Sequence, residues 1–217
     1  MIDFEAARVK MVDSQIRTTD VTSHSVLSAF LSVPRELFVA DHLKPVAYVD
    51  EDLEIAPGRY VMEPSPLAKL LQLAEITKQD RVLEIGTGTG YVAALFARLA
   101  GEVVALESDE TLAVAAKANL ASLHCSNVSV VTGPLESGWQ KNSPYDLIFI
   151  NGAVEEVPEA LFAQLREGGR LLAVVGYGHA ARATLYVKAA GSVAGNPAFN
   201  ASVRPLPGFR KAAEFVF

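Results

Sequence analysis

A glycine-rich turn between a strand and a helix constrains the fold of this chain more than any other stretch. Residues 82–91 read VLEIGTGTGY, so an apolar run leads directly into glycines at positions 86, 88 and 90. The run is typical of a buried parallel strand, and residues 91–100 are predicted to form the helix that follows it. Glycines let a turn approach a bound ligand closely and aim backbone N–H groups at it. The pattern therefore predicts a ligand site where this strand meets its helix.

Two acidic residues indicate what kind of ligand binds at this turn. Glu107 ends the next apolar run, and a carboxylate at the tip of the second strand can accept both hydroxyls of a ribose. Glu84 lies two residues before the first glycine, where it would repel a pyrophosphate. The third glycine also comes one residue earlier than in the dinucleotide motif G-x-G-x-x-G. Both features favour S-adenosylmethionine, which has a cationic end, over NAD.

Length, charge and composition exclude several other classes of protein. The chain has 217 residues, half of them apolar, which suits one sizeable α/β domain. Its net charge of −6 and the lack of a Lys/Arg cluster argue against nucleic-acid binding. One cysteine and four histidines without metal-ligand spacing predict neither an intramolecular disulfide nor a metal site. The start of the chain is not typical of a secretory signal and no apolar run could span a bilayer, so we expect a cytoplasmic protein.

The order of predicted elements indicates a doubly wound, mostly parallel sheet of the Rossmann-like methyltransferase type. Residues 1–77 are predicted to form an N-terminal helical cap, and residues 78–217 the sheet domain, together one structural unit. The predicted strands are 81–85, 103–107, 128–131, 145–150, 170–175, 182–187 and, in the tail, 213–217.

Ligands of such sheets bind beyond the carboxyl ends of the strands. This rule gathers four segments of the chain around one crevice: 86–90, Glu107, 133–135 and 151–153.

Several segments together resemble the protein-L-isoaspartate O-methyltransferases, which use S-adenosylmethionine to esterify isoaspartyl carboxylates in damaged proteins. The resemblance runs from about residue 11 to 176. The segments that carry it are Met11-Val12-Asp13-Ser14-Gln15, Val33-Pro34-Arg35-Glu36 with Phe38-Val39, Ala47-Tyr48-Val49-Asp50, residues 82–91, Glu107, Tyr145-Asp146-Leu147-Ile148, and Gln164-Leu165 with Gly168-Gly169-Arg170-Leu171.

The resemblance implies S-adenosylmethionine as cofactor and a peptide or protein with isoaspartyl residues as substrate. The residues expected to bind the cofactor are Glu84, Gly86, Thr87, Gly88, Gly90, Tyr91, Glu107, Ser108, Leu135 and Asn151. Three residues near the N-terminus are expected to contact the substrate: Arg35, Tyr48 and Asp50. The guanidinium of Arg35 could meet a substrate carboxylate through a fork of donors.

The chain departs from the family pattern at the position of an active-site hydroxyl. Relatives have Ser or Thr there, followed by Gln-Pro, whereas this chain reads Met62-Glu63-Pro64. Gly133-Pro134-Leu135 replaces a Gly-Asp-Gly, so the backbone N–H of Leu135 is expected to meet the adenine. Two alternatives stay open: a methyltransferase with another acceptor, and a non-catalytic protein that binds adenosylmethionine. A nucleotide-dependent oxidoreductase is disfavoured by Glu84 and the glycine spacing.

Overall fold

The helices of the chain lie mainly in its first third and between the strands of one sheet. A computed structural model describes residues 2–209. Within that range the α-helices are α1 (Phe4–Met11), α2 (His24–Ser32), α3 (Pro64–Leu73), α4 (Tyr91–Leu99), α5 (Glu110–Ser122) and α6 (Glu159–Ala163). A π-helical turn, Val12–Ile16, continues α1. Asp109 caps α5 by accepting the N–H groups of Thr111 and Leu112, as its position in the sequence predicts.

Nine strands form a small hairpin and one large sheet among the described residues. The strands are β1 (Leu53–Ala56), β2 (Arg59–Val61), β3 (Arg81–Ile85), β4 (Glu102–Glu107), β5 (Val128–Thr132), β6 (Tyr145–Val154), β7 (Leu165–Val175), β8 (Arg182–Ala189) and β9 (Ser192–Asn200). Strands β1 and β2 pair with each other, and the sheet has the order β5-β4-β3-β6-β7-β8-β9. Its first five strands are parallel, and β8 and β9 are antiparallel. The predicted doubly wound, mostly parallel sheet is confirmed.

Alternating side chains of the central strands supply two hydrophobic cores, one on each face of the sheet. Val82 of β3 faces the core formed with α4 and the N-terminal helices, while Leu83 and Ile85 face the other core. This alternation follows from the period of two along a strand. The strand order reverses direction at β3: the chain runs from β3 to β5 toward one edge of the sheet and from β6 to β9 toward the other. Sheets of this kind bind ligands at such a switch point.

Three strands were not predicted, each for a physical reason. The hairpin strands β1 and β2 have four and three residues, too few to show an alternating pattern. Strand β9 contains Gly195 and Pro197, which resemble a loop in sequence, but it lies at the edge of the sheet, where proline is tolerated. The strand predicted at 213–217 lies outside the described residues.

The N-terminal segment packs directly on the sheet domain. Met11, Phe30 and Phe38 belong to the same buried cluster as Val82 and Phe149. The segment also contains the β1–β2 hairpin, so it is not purely helical. The division at residue 77 stays a prediction. In the part of the chain that the structure describes, every helix is too short or too polar to cross a membrane.

Candidate active site

The register of the central strands brings three polar positions to one edge of the sheet. Ile85 of β3 pairs with Leu106 of β4 and with Ile150 of β6. The residues that follow these three, namely Gly86, Glu107 and Asn151, therefore lie at the same level. They surround the crevice that the strand order predicts. Glu84 is the penultimate residue of β3, two positions before Gly86.

Glu84 is a buried acid whose partners are neutral. Its side chain is fully buried and accepts hydrogen bonds from Thr87 Oγ1 at 2.8 Å and Asn151 Nδ2 at 3.1 Å. Burial raises the pKa of Glu84 to about 8. The two hydrogen bonds act to lower this pKa, and the negative charge of Glu107 acts to raise it. The raised pKa favours the protonated form of Glu84 in the cofactor-free protein. A cationic ligand group would favour its ionised form.

Glu107 accepts hydrogen bonds at both carboxylate oxygens from an unexpected partner, Arg59 of β2. Arg59 Nη1 donates to Oε1 at 2.5 Å, and Nη2 donates to Oε2 at 2.6 Å. The backbone N–H of Gly88 bonds Oε2 at 2.7 Å, and those of Ser108 and Asp109 bond Oε1 at 2.8 and 3.0 Å. Burial acts to raise the pKa of Glu107, but the bonds from Arg59 and the backbone lower it below its usual value. Glu107 is thus an ionised carboxylate that already holds five donors.

The three glycines of the turn use their N–H groups within the fold, contrary to what the sequence predicts. The N–H groups of Gly86 and Thr87 both donate to the Leu106 carbonyl, at 2.8 and 3.1 Å. The N–H of Gly90 donates to the Thr87 carbonyl, and that of Gly88 donates to Glu107. Three of these four N–H groups, those of Gly86, Thr87 and Gly88, donate to β4. They therefore connect the turn to the neighbouring strand, and the turn is not a phosphate-binding loop.

Side chains from two other segments cover the glycine turn. A Cβ placed on Gly88, whose φ is +60°, would lie 2.8 Å from Ile55 Cδ1 in the β1–β2 hairpin. A Cβ on Gly86 would lie 2.7 Å from Leu206 Cδ1. Two backbone hydrogen bonds hold this segment against β6. The N–H of Ala153 donates to the Arg204 carbonyl, and the N–H of Leu206 donates to the Ala153 carbonyl. Only glycine at 86 and 88 permits these close contacts.

The space left at the crevice is small and opens into a larger groove. The inner cavity measures about 20 Å³, close to the volume that holds one water molecule, and is lined by Asp52, Arg59, Met62, Gly86, Asn151 and Arg204 among others. An outer groove of about 590 Å³ lies between the hairpin and the C-terminal segment, lined by Gly58, Tyr60 and residues 204–208. Five residues line both: Gly58, Tyr60, Arg204, Pro205 and Leu206.

Met62 and Glu63 follow the hairpin at the position of the family hydroxyl. Met62 is 4% exposed and packs in the hydrophobic core while lining the inner cavity. Burial, together with the charges of Asp52 and Asp50, raises the pKa of Glu63 to about 7. Asp52 accepts the N–H of Glu63 at 3.0 Å and pairs with Arg204 Nε at 3.3 Å.

The three residues expected to contact the substrate do not line the described cavity or groove. Arg35 has no exposed surface; its Nε donates to the Ala47 carbonyl at 2.8 Å, and the guanidinium lies 4.9 Å from the centre of the Tyr91 ring. Tyr48 is buried and donates to Glu36, and Asp50 accepts the N–H and hydroxyl of Ser65, at the start of α3. Arg35 Nε and Nη2 donate to backbone carbonyls inside the fold, whereas the buried Nη1 has no hydrogen-bond partner in the described structure. The carboxylate fork at Arg35 stays a prediction.

The remaining predicted cofactor residues separate into two groups. The ring of Tyr91 packs edge-on against Phe30 and Phe38 in the core, so its side chain does not face the crevice. Leu135 likewise buries its side chain, in the second core. Ser108 is exposed beside Glu107, and Asn151 lines the cavity. Asn151 Oδ1 is buried and has no hydrogen-bond partner in the described structure.

Sequence analysis missed three residues that shape this site: Arg59, Arg204 and Leu206. Arg59 lies 48 positions from Glu107, and no local pattern connects them. The sole local signal was the Pro57-Gly58 turn, which could have indicated a hairpin returning toward the crevice. Leu206 and Arg204 follow an edge strand and have no periodicity of their own.

A family model described as "Protein-L-isoaspartate(D-aspartate) O-methyltransferase (PCMT)" matches residues 6–207. The chain belongs to this family. It is 41% identical over 173 residues to a protein-L-isoaspartate O-methyltransferase of Koribacter versatilis, covering 80% of this chain and 78% of that protein. It is 43% identical over 169 residues to a relative of the same name from Methanoculleus marisnigri, covering 78% and 77%. The family consists of S-adenosylmethionine-dependent methyltransferases.

Solved structures share the fold over nearly the whole chain. A protein-L-isoaspartate O-methyltransferase structure aligns with a TM-score of 0.82 and 31% identity, over 93% of this chain and 67% of that one. A Plasmodium falciparum protein described as a putative member of the same class, in complex with S-adenosyl-L-homocysteine, aligns with a TM-score of 0.79 and 17% identity over 96% of this chain and 100% of that one. The second similarity supports the fold alone. Among residues 2–209, no group of three His, Cys, Asp or Glu side chains is arranged to hold a metal ion.

Proposed function

We propose that this protein transfers a methyl group from S-adenosylmethionine to the free carboxylate of isoaspartyl residues in damaged proteins. The observation that carries the proposal is the set of polar groups at the carboxyl ends of β3, β4 and β6. Glu84, Glu107 and Asn151 converge on one crevice, next to a groove of about 590 Å³. Family membership supplies the reaction class.

The described residues fit the two polar ends of the cofactor. Asn151 Oδ1 is a buried acceptor without a partner, and it belongs to the side chain that donates to Glu84. An ammonium group beside them would satisfy that acceptor and neutralise an ionised Glu84. We assign the amino-acid end of S-adenosylmethionine to Glu84 and Asn151, and its ribose hydroxyls to Glu107. When bound, the cofactor supplies an electrophilic methyl group.

The remaining cofactor assignments depend on backbone and on closeness to the crevice. Gly86, Thr87, Gly88 and Gly90 shape the turn, and Ser108 adjoins Glu107. For Tyr91 and Leu135 we retain only the backbone as a candidate contact, since both side chains are buried elsewhere.

The acceptor needs orientation and no general base. A carboxyl group with a pKa of roughly 4 is already ionised at neutral pH, so no proton has to be removed from it. Aligning the carboxylate for in-line attack can supply much of the rate. The side chains that line the inner cavity and face the groove are therefore the groups that must orient it. Met62 cannot do so by hydrogen bonding, which leaves the cations of the cavity, Arg59 and Arg204.

Methylation of a different acceptor is the second candidate function. The specific observation in its favour is the pair Met62-Glu63, where an apolar side chain precedes an acid with a pKa of about 7. An acid of that pKa suits proton removal at neutral pH, which an isoaspartyl carboxylate does not need. We further propose a cytoplasmic location and no nucleic-acid partner; the support is the single cysteine and the net charge of −6.

The deciding experiment measures methyl transfer from labelled S-adenosylmethionine to an isoaspartyl peptide, with the aspartyl peptide of the same sequence as control. The proposal expects label in the isoaspartyl peptide alone, as a methyl ester that is released by base. Cofactor binding without labelling of either peptide would contradict the proposed acceptor and leave the two alternatives, a different acceptor or a non-catalytic binding protein. Labelling of a nitrogen or hydroxyl acceptor in a protein extract would then favour the first alternative.

A further inference from the structure

Arg59 occupies the position at which the proposed function requires a ribose to bind. Its two Nη atoms bond the two oxygens of Glu107 at 2.5 and 2.6 Å. Three backbone N–H groups bond the same two oxygens. A carboxylate has about four lone-pair sites, and five donors already share them. Ribose hydroxyls therefore cannot reach Glu107 while Arg59 holds it.

The cavity beside Arg59 is small as well, and Glu107 is not among the residues that line it. The space at the crevice measures about 20 Å³, enough for one water molecule and far too small for a nucleoside. Arg59 lines that space and belongs to a short hairpin, whereas Glu107 lies in the centre of the sheet. Movement of the hairpin side chain is thus the change that opens the site.

Once displaced, the guanidinium needs a new anion. Arg59 is nine-tenths buried, and a buried cation without a partner is strongly unfavourable. Asp52 lines the same cavity, but it already accepts from the N–H of Glu63 and from Arg204. Met62 also lines this cavity and would offer an acceptor's carboxylate no hydrogen bond. A planar guanidinium matches a carboxylate with two parallel hydrogen bonds.

We propose that Arg59 binds two carboxylates in turn: Glu107 in the cofactor-free protein, and the acceptor's carboxylate after the ribose of S-adenosylmethionine has displaced it. The second half rests on the proposed function. Arg59 then orients the acceptor's carboxylate, which Met62 cannot do. Because Arg59 is free only after the cofactor has bound, the cofactor binds first and the acceptor second. Arg35, which the sequence indicated for this role, lines neither the cavity nor the groove, and its Nε donates to the Ala47 carbonyl.

The first test is the affinity for S-adenosylhomocysteine by isothermal titration. Arg59→Met removes the competing cation and keeps most of the apolar bulk, so binding should tighten about ten- to hundredfold, the equivalent of one hydrogen bond to a charged group. Arg59→Lys keeps the charge without the fork and should give a smaller gain. The matched control is Arg81→Met, which removes an Arg–Glu pair that is about two-fifths exposed on β3 and β4 and should leave the affinity unchanged. Unchanged or weaker binding in Arg59→Met would overturn the proposal.

The second test follows the Arg59 guanidinium itself by nitrogen NMR, with Arg59→Lys to assign its Nε signal. Saturating S-adenosylhomocysteine should shift this signal, and added isoaspartyl peptide should shift it again. A purely structural ion pair would give a signal that neither ligand moves, and that result refutes the exchange of partners. In steady-state assays, Arg59→Met should raise the KM for the peptide about tenfold or more, which is the loss of one charged hydrogen bond. An unchanged KM refutes the acceptor half.

Failure of the proposed function gives a different pattern of results. If the wild-type protein methylates no isoaspartyl peptide, that function fails, and the acceptor half of the present proposal fails with it. The titration still decides whether Arg59 competes with the ribose. If neither the wild-type protein nor Arg59→Met binds S-adenosylhomocysteine, both halves are refuted.

Discussion

Replacing Glu107 by alanine should destabilise the fold more than any other single loss of charge near the crevice. The change removes the acceptor of the buried Arg59 fork and of three backbone N–H groups, of which that of Gly88 is buried and those of Ser108 and Asp109 are partly buried. Breaking a buried ion pair from one side costs about 3–5 kcal/mol, because the remaining charge has no partner. Total stabilities are about 5–15 kcal/mol, so the variant should be close to the limit of folding.

Removing the other partner should be less severe, because Glu107 keeps its three backbone donors. We expect Arg59→Met to lower the free energy of unfolding by about 1–3 kcal/mol, the range for one hydrogen bond to a charged group. Adding Arg59→Met to Glu107→Ala should recover part of the loss, since it removes the uncompensated cation. This asymmetry is specific to the arrangement of donors around Glu107.

The matched control lies on the same strand, β4. Glu102 bonds Arg81 Nε at 2.9 Å, but both side chains are more than two-fifths exposed. Exposed pairs contribute about 0–1 kcal/mol, so Glu102→Ala should change little. Urea unfolding followed by the fluorescence of the single tryptophan, Trp139, measures all four variants. The reasoning is refuted if Glu107→Ala loses no more stability than Glu102→Ala.

Three further predictions concern the crevice. Met62→Ser should raise kcat on isoaspartyl peptides without tightening cofactor binding, because it restores a group that can orient the carboxylate; an unchanged rate would mean that Arg59 suffices. The pKa of Glu84 is about 8 in the folded protein and about 4.3 in the unfolded chain. Because the folded state holds the proton more tightly, Glu84 lowers the free energy of unfolding by about 1.4 kcal/mol per pH unit as pH rises between these values. Glu84→Gln should remove that contribution, and equal slopes of unfolding free energy for variant and wild type from pH 5.5 to 7.5 would contradict it. Gly88→Ala should destabilise by about 1–3 kcal/mol, because φ is +60° and the new Cβ lies 2.8 Å from Ile55; a thermal melt identical to wild type would rule this out.

The central sheet could be predicted because its information is local. Buried strands such as β3 and β4 are short apolar runs, and an acid or glycine at the end of each run identifies the edge that binds ligands. Glu107 was predicted by that rule, and Glu84 by its place two residues before the first glycine. The rule depends only on strand direction, which the alternation of strands and helices specifies.

The contacts that close the site could not be predicted, because they join segments far apart in the chain. Arg59 reaches Glu107 across 48 positions, and Leu206 reaches Gly86 across a still longer separation. Arg35 shows the converse: its guanidinium suggests a substrate-binding cation, yet the fold buries it completely. Nothing in the neighbouring sequence distinguishes these two arginines.

The difference between the two arginines lies in the kind of partner each one has. Arg35 donates to backbone carbonyls, which no ligand can replace without unfolding the segment. Arg59 donates to a carboxylate that the proposed cofactor also needs, so its partner can be exchanged. Binding energies at two sites that share one group are coupled, and the coupling is reciprocal. If cofactor binding frees Arg59 for the acceptor, acceptor binding must tighten the cofactor by the same factor. Under this proposal the chain recognises the acceptor's carboxylate three residues before Met62, at Arg59, but only once the cofactor is bound.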